Sequence, residues 1–256
     1  MDRLPRRHDD CWGEFTMTGR MLLALAFAAT LFPCSLAAQP KTYPLDSAEG
    51  LTFHNVAAEA ATLEGQRGLR VTIAPEAERR MQGMTPQQAA ANPLEPLAIV
   101  NGLSFASGLI EAEIAGQPGP GAGGGARGFV GIAFRLQPDK TTYDAFYLRP
   151  TNGRADDQER RNHSAQYISH PAWTWDRLRK ETPSKYESYV DLEPGKWTKV
   201  KIEVNGDKAR LYVHDNAQPA LIVNDLKTGA TAQGGVALWI GPGTVAHFRN
   251  LKVTPK

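Results

Sequence analysis

The segment HSAQYISHPAWTWDRLRKETPSKYES, from His163 to Ser188, interleaves two tryptophans, two tyrosines and two histidines with guanidinium, ammonium and carboxylate groups. Such a mixture suits a ligand that has both apolar faces and many hydroxyls, as a sugar ring does. Flat aromatic rings cover the C–H face, and forked polar groups take the hydroxyls. Trp173 and Trp175 fall on one side if AWTWD is extended, and Arg154, Asn162, Gln166 and Arg179 are placed to add hydrogen bonds. The bland alternative is a long loop whose tryptophans anchor it to the core while its charges face water. At least one tryptophan is expected to be such an anchor.

Neighbouring runs extend this set by strand parity, because successive side chains of a strand point to opposite faces. In GFVGIAFRL, Val130, Ile132, Phe134 and Leu136 form one apolar face, leaving Phe129, Gly131, Ala133 and Arg135 on the other. In YDAFYLR, Phe146 and Leu148 inward leave Tyr143, Tyr147 and Arg149 outward. In YESYVDL, Val190 and Leu192 inward leave Glu187 and Tyr189 outward, and Ile168 inward would put His163 and Tyr167 on that face too. A solvated sheet face would use Thr, Lys, Ser and Glu instead. The competing reading packs the tyrosines under the 150–185 segment and pairs the charges with one another.

Those strands belong to a chain of alternating β-rich runs, from LTFHNV near residue 51 to VAHFRNLKV near residue 253, broken by turn residues. Asn205-Gly206, between two alternating runs, predicts a tight hairpin. Many short strands with little helical periodicity predict an all-β fold of two packed antiparallel sheets, a sandwich or jelly roll. Two insertions interrupt it, one over about 75–98 with one or two helical turns and a long one over about 150–185. AGQPGPGAGGGARG reads as a flexible loop, since no Gly-Lys-Ser/Thr follows it and no helix opens after it.

The 256 residues carry a formal net charge of +2, with no basic run for nucleic acid and no acidic tail. Arg20 precedes MLLALAFAATLF, an apolar run of signal-peptide length, and SLAAQ offers cleavage after Ala37 or Ala38. Residues 1–38 are therefore expected to be an export leader with a long n-region, and the chain to be periplasmic or secreted, with no membrane attachment after cleavage. Both cysteines, Cys11 and Cys34, lie in that leader. The exported part would have neither disulfides nor thiolate metal ligands.

In order, FASGLIEAEIAG, GFVGIAFRL, PGKWTKVKIEVNGDKARLYV and GGVALWIGPGTVAHFRNLKV resemble the concanavalin A-like lectin/glucanase superfamily. Within it, the chain is most similar to the 3-keto-disaccharide hydrolase domain group, which is family 16 glycoside hydrolase-like. The resemblance spans about residues 45–255 and implies a jelly roll whose concave sheet binds carbohydrate. Laminarinase-type members have an E-x-D-x-x-E strand, and a retaining mechanism needs two carboxyl groups about 5–5.5 Å apart. The corresponding YDAFYLRP has Tyr147 and Arg149 at those positions, so a retaining glucanase is disfavoured.

An oxidised 3-keto glycoside instead has an acidic C–H beside the glycosidic carbon, and its elimination needs one base and one enolate stabiliser. His163 and Glu187 are the candidate bases, and Arg135 and Arg149 the candidate stabilisers. Two other classes stay open, a non-catalytic carbohydrate-binding module and a laminin-G-like protein-interaction domain. No cofactor motif is present, and the histidines lack metal-ligand spacing. Structural calcium is conceivable at RADDQE, which lacks the alternating oxygen ligands of a defined loop. The sequence says nothing of oligomeric state.

Overall fold

A computed structural model describes residues 39–82, 84, 88 and 93–256. The export leader with both cysteines, and most of the second half of the 75–98 insertion, lie outside the described residues.

Among the described residues fifteen strands form two antiparallel sheets, an all-β two-sheet sandwich as expected. In chain order they are β1 (Lys41–Tyr43), β2 (Leu51–His54), β3 (Val56–Leu63), β4 (Gln66–Ile73), β5 (Leu97–Val100), β6 (Gly108–Pro118), β7 (Val130–Leu136) and β8 (Tyr143–Leu148). They continue as β9 (Ala165–His170), β10 (Glu187–Ser188), β11 (Thr198–Asn205), β12 (Lys208–Val213), β13 (Leu221–Val223), β14 (Gly235–Ile240) and β15 (Thr244–Pro255). One sheet runs β13-β12-β11-β6-β15-β4-β3, with β1 also paired to β15; the other runs β10-β9-β8-β7-β14-β5-β2.

The core lies between the sheets, as the apolar parity sets require. Val130, Ile132 and Phe134 of β7 and Phe146 and Leu148 of β8 are buried, as are Ile110, Ile114, Val200 and Ile202 of the opposite sheet. Every residue of β7 and β8 is buried, so the second face of this sheet is covered as well, and that face holds the site. Residues 150–186 contain α2 (Pro150–Gly153), α3 (Gln158–Asn162), strand β9 and α4 (Trp175–Glu181), and α4 packs against β9. The expected long loop is therefore only partly a loop, since β9 pairs with β8 over its whole length.

Local signals behave as their chemistry dictates. The helix expected after residue 74 is α1 (Pro75–Gln82), with proline in its first turn, where a missing N–H costs nothing. The β11–β12 hairpin closes one residue later than Asn205-Gly206 suggests. Asn205 pairs with Lys208, so Gly206 and Asp207 make the turn, with Gly206 at φ +60°. The surface of the eight-stranded sheet facing away from the core is a ladder of ion pairs, Glu113 with Arg249 and Glu111 with Lys252 among them.

Candidate functional site

The outer face of the seven-stranded sheet is built from cross-strand rows. One row is Trp239, Gly131, Tyr147, Gln166 and Glu187, successive partners on β14, β7, β8, β9 and β10. Gly131 is the close-approach position. A Cβ there would lie 2.2 Å from Phe146 O and 2.5 Å from Tyr147 Cβ. With no side chain between them, the Tyr147 and Trp239 rings meet with centroids 4.7 Å apart. A second row, Ala237, Ala133, Ala145 and Ile168, supplies a small-residue floor.

Above this floor opens a cleft of about 610 Å³ whose lining includes Phe129, Tyr147, Ile168, Trp175, Trp239 and Leu94. Trp175 starts α4 and is 47% exposed, so its ring is available to a ligand at negligible desolvation of polar groups. Aromatic walls with a few fixed polar groups are the usual composition of a small-molecule site.

Behind the Tyr147 and Trp175 wall stands a charged cluster. Arg149 Nη2 donates to Tyr147 OH (2.7 Å) and Gln166 Oε1 (3.1 Å), and Nη1 donates to Glu187 Oε1 (3.3 Å) and His163 O (2.8 Å). Arg179, one helical turn after Trp175 on α4, grips the same carboxylate through Nε (3.0 Å to Oε2) and Nη2. His163 Nδ1 lies 2.9 Å from Glu187 Oε2, out of line for a hydrogen bond, and neither ring nitrogen of His163 has an aligned partner.

Burial alone would raise the Glu187 carboxyl, but the Arg179 hydrogen bond and the charges of Arg179, His163 and Arg149 hold it below the usual range. His163 is lowered by burial and by both arginines, against the opposing pull of Glu187. Burial, partly countered by Arg149, pushes the Tyr147 hydroxyl up to about 12. Glu187 is thus a fixed anion whose lone pairs are already engaged, which makes it a poor proton acceptor.

A second polar group stands at the β5 end of the cleft. Glu95, between Leu94 and Pro96, and His170, at the end of β9, both line the cleft. His170 Nδ1 is 2.8 Å from Glu95 Oε1 and 3.1 Å from Tyr143 OH. Tyr143 OH donates to Glu95 Oε2 and accepts from Trp239 Nε1 (3.0 Å). Burial, then the adjacent Glu95 charge, holds the Tyr143 hydroxyl far above its ordinary value, so it remains a donor.

The structure thus brings together Tyr143, Tyr147, Arg149, His163 and Glu187 of the parity set with Gln166 and Arg179, and Trp175 lies against Arg149 and Arg179. Six expected site residues need correction. Arg135 does not face the cleft. It is the extra residue of a β-bulge, since Gly235 pairs with Leu136 and Val236 with Phe134, and its φ of +58° turns the side chain into the sandwich. There it is fully buried and donates to Ala106 O, Gly206 O, Gly229 O and Thr228 Oγ1. Tyr167 and Ile168 are exchanged: Ile168 lines the cleft, while Tyr167 is buried in the core and donates to Asp144 Oδ1 (2.6 Å).

Trp173 is not on the side of Trp175. A bridge to Ser169 precedes α4, and the Trp173 ring lies under Arg177 (3.9 Å) and Lys227 (4.7 Å), so it is the anchor. Arg154 and Asn162 are engaged elsewhere, Arg154 with Asp191 and Glu193 and exposed Asn162 with Gln158. Tyr189, 43% exposed, shares the parity of Glu187 but stacks on Arg161 at the sheet edge.

Most of the lining lay outside the sequence candidates, Trp239, Phe129, Glu95 and His170 among it. Alternation in GGVALWI puts Trp239 opposite Leu238, and Phe129 already shared a face with Gly131, so both were legible. Glu95 and His170 left no such signal, because one lies in a connection and the other pairs with it only through tertiary packing. Among the described residues no group of three His, Cys, Asp or Glu is arranged to hold a metal ion, and no helix is long and apolar enough to cross a membrane.

No family model matches the chain, and no curated protein matches it. Its fold is similar to solved structures at low identity. A carbohydrate-binding module, CBM66, from Bacillus subtilis is 13% identical with a TM-score of 0.47, covering 79% of this chain and 98% of that one. A protein with a galectin-like fold from Bacillus subtilis is 12% identical with a TM-score of 0.48, covering 84% and 94%. A β-glucanase from Bacillus licheniformis is 12% identical with a TM-score of 0.44, covering 85% and 98%.

Proposed function

We propose that the concave-face cleft binds carbohydrate and that the chain is an exported hydrolase or lyase acting on glycosides, 3-keto glycosides among them. The observation that carries this reading is the aromatic collar of Phe129, Tyr147, Trp175 and Trp239 around one cleft whose lining also holds Arg80, Glu95 and His170. The rings offer flat apolar surface to the C–H face of a pyranose, and the network of Arg149, Gln166 and Arg179 backs Tyr147 and Trp175 from behind the cleft wall. Retaining chemistry by two free carboxylates is not supported, because Glu187 is held by two arginines and β8 presents Tyr147 and Arg149. Elimination from a keto sugar needs a single base and a cationic group near the developing enolate, and the lining holds His170 and Arg80.

The engaged state of Glu187 also favours a second reading, a non-catalytic module that holds a glycan unchanged. Titration of the mature chain with oligosaccharides and their 3-keto derivatives, followed by tryptophan fluorescence and product analysis, separates the two. Trp175→Ala is expected to weaken binding roughly 2- to 13-fold, from about 0.5–1.5 kcal/mol of ring stacking, with little change in stability. Unchanged affinity in that variant, measured by calorimetry, would remove the collar from the site. Export is tested by the mass of the periplasmic or secreted chain, expected to begin at Ala38 or Gln39.

A further inference from the structure

The geometry points to His170 as the general base of the cleft, held in its reactive tautomer by Glu95 and Tyr143; this rests on the keto-glycoside reading above. The argument begins with hydrogen bonds. Tyr143 OH donates to one oxygen of Glu95 and is itself fixed by the indole N–H of Trp239. The other Glu95 oxygen is 2.8 Å from His170 Nδ1, and an ionised carboxylate only accepts, so Nδ1 carries the proton. Nε2 is then the unprotonated nitrogen of a ring that lines the cleft, with no hydrogen-bond partner among the described residues. A carboxylate that orients an imidazole and stabilises its protonated form is the arrangement by which histidine takes and returns a proton.

Neither base suggested by parity has these properties. Glu187 has its oxygens engaged by Arg149 and Arg179, and His163 has no aligned hydrogen bond to set its tautomer. Glu95 is also secured through its backbone, whose carbonyl accepts from Asn55 Nδ2 at 3.2 Å. The dyad is therefore positioned from the connection before β5 and from the end of β9 at once.

The step balances without an oxidant or a cofactor. His170 Nε2 removes the proton from the ring carbon between the ketone and the glycosidic carbon. The C–H electron pair forms an enolate on the ketone oxygen. As the carbonyl reforms, C=C forms toward the glycosidic carbon and the bond to its departing oxygen breaks. That oxygen takes the proton back from Nε2.

The test uses 4-nitrophenyl 3-keto-β-glucoside as probe, following nitrophenol release and, in D₂O, exchange of the proton beside the ketone. His170→Ala is expected to lose at least about 10²-fold in kcat, to keep probe binding by fluorescence, and to regain activity with imidazole in solution. Glu95→Gln is expected to lower kcat with KM nearly unchanged. A His170→Ala variant that folds, binds and turns over within about threefold of wild type would overturn the assignment while leaving the carbohydrate site standing. A wild-type chain that neither binds nor cleaves the probe would overturn the keto-glycoside reading and this assignment together.

Discussion

Arg135→Met distinguishes a buried staple from a ligand contact. The Arg135 guanidinium is fully buried. It donates to Ala106 O (3.0 and 2.7 Å), Gly206 O (2.6 Å), Gly229 O (2.7 Å) and Thr228 Oγ1 (3.2 Å), and it lies 3.8 Å from Asp144 Oδ2. It thereby ties three loops of the eight-stranded sheet's side to a strand of the other sheet. Methionine fills similar volume but satisfies none of those carbonyls and leaves Asp144 buried without its cation.

Breaking one partner of a buried pair costs about 3–5 kcal/mol, and about 2–4 °C of melting temperature per kcal/mol for a domain of this size gives a fall of roughly 6–20 °C. Thermal and urea unfolding measure it. The pH dependence has a definite sign. Burial raises the Asp144 carboxyl in the folded state, against hydrogen bonds from Thr228 and Tyr167 and the charge of Arg135. A raised carboxyl makes the folded state bind a proton more readily than the unfolded chain, so stability falls as pH rises through the ordinary carboxylate range. Loss of Arg135 deepens that dependence, and the variant's deficit is expected to be smaller near pH 4 than at pH 8. A variant of native stability that fails only in ligand binding would refute the burial argument and return Arg135 to the site.

Two further outcomes follow from the cleft. Glu187→Gln leaves Arg149 and Arg179 without their anion and is expected to cost about 1.5–3 kcal/mol at neutral pH. Because the Glu187 carboxyl is depressed in the folded state, its contribution is present above the unfolded value and vanishes as pH falls through the folded one. Wild type and variant should therefore converge in acid, and a constant gap across a pH series of melting curves would contradict the pairing. Gly131→Ala forces a Cβ into the Phe146 carbonyl and Tyr147, with an expected loss of about 1–3 kcal/mol and separation of the Tyr147 and Trp239 rings. Unaltered tryptophan emission and stability in that variant would contradict the close approach.

Alternation alone carried the all-β sandwich and much of the cleft wall, because side-chain period 2 is a local property of any extended run. Tyr147, Arg149 and Glu187 share a face for that reason, and so do Trp239 and Phe129. Parity failed where a tertiary event changed the count. The bulge at Arg135 arises from how β7 meets β14, and the inward turn of Tyr167 from the phase in which β9 docks on β8. Neither is written in the local pattern, since a one-residue slip exchanges every side chain between faces.

The Trp173 and Trp175 pair parted because α4 begins between them, under a bridge to Ser169 that only the folded sheet provides. The contact of Glu95 with His170 spans 75 residues. No periodicity encodes it, because the end of β9 and the connection before β5 lie on either side of β8, β7 and β14 and meet only across the assembled sheet.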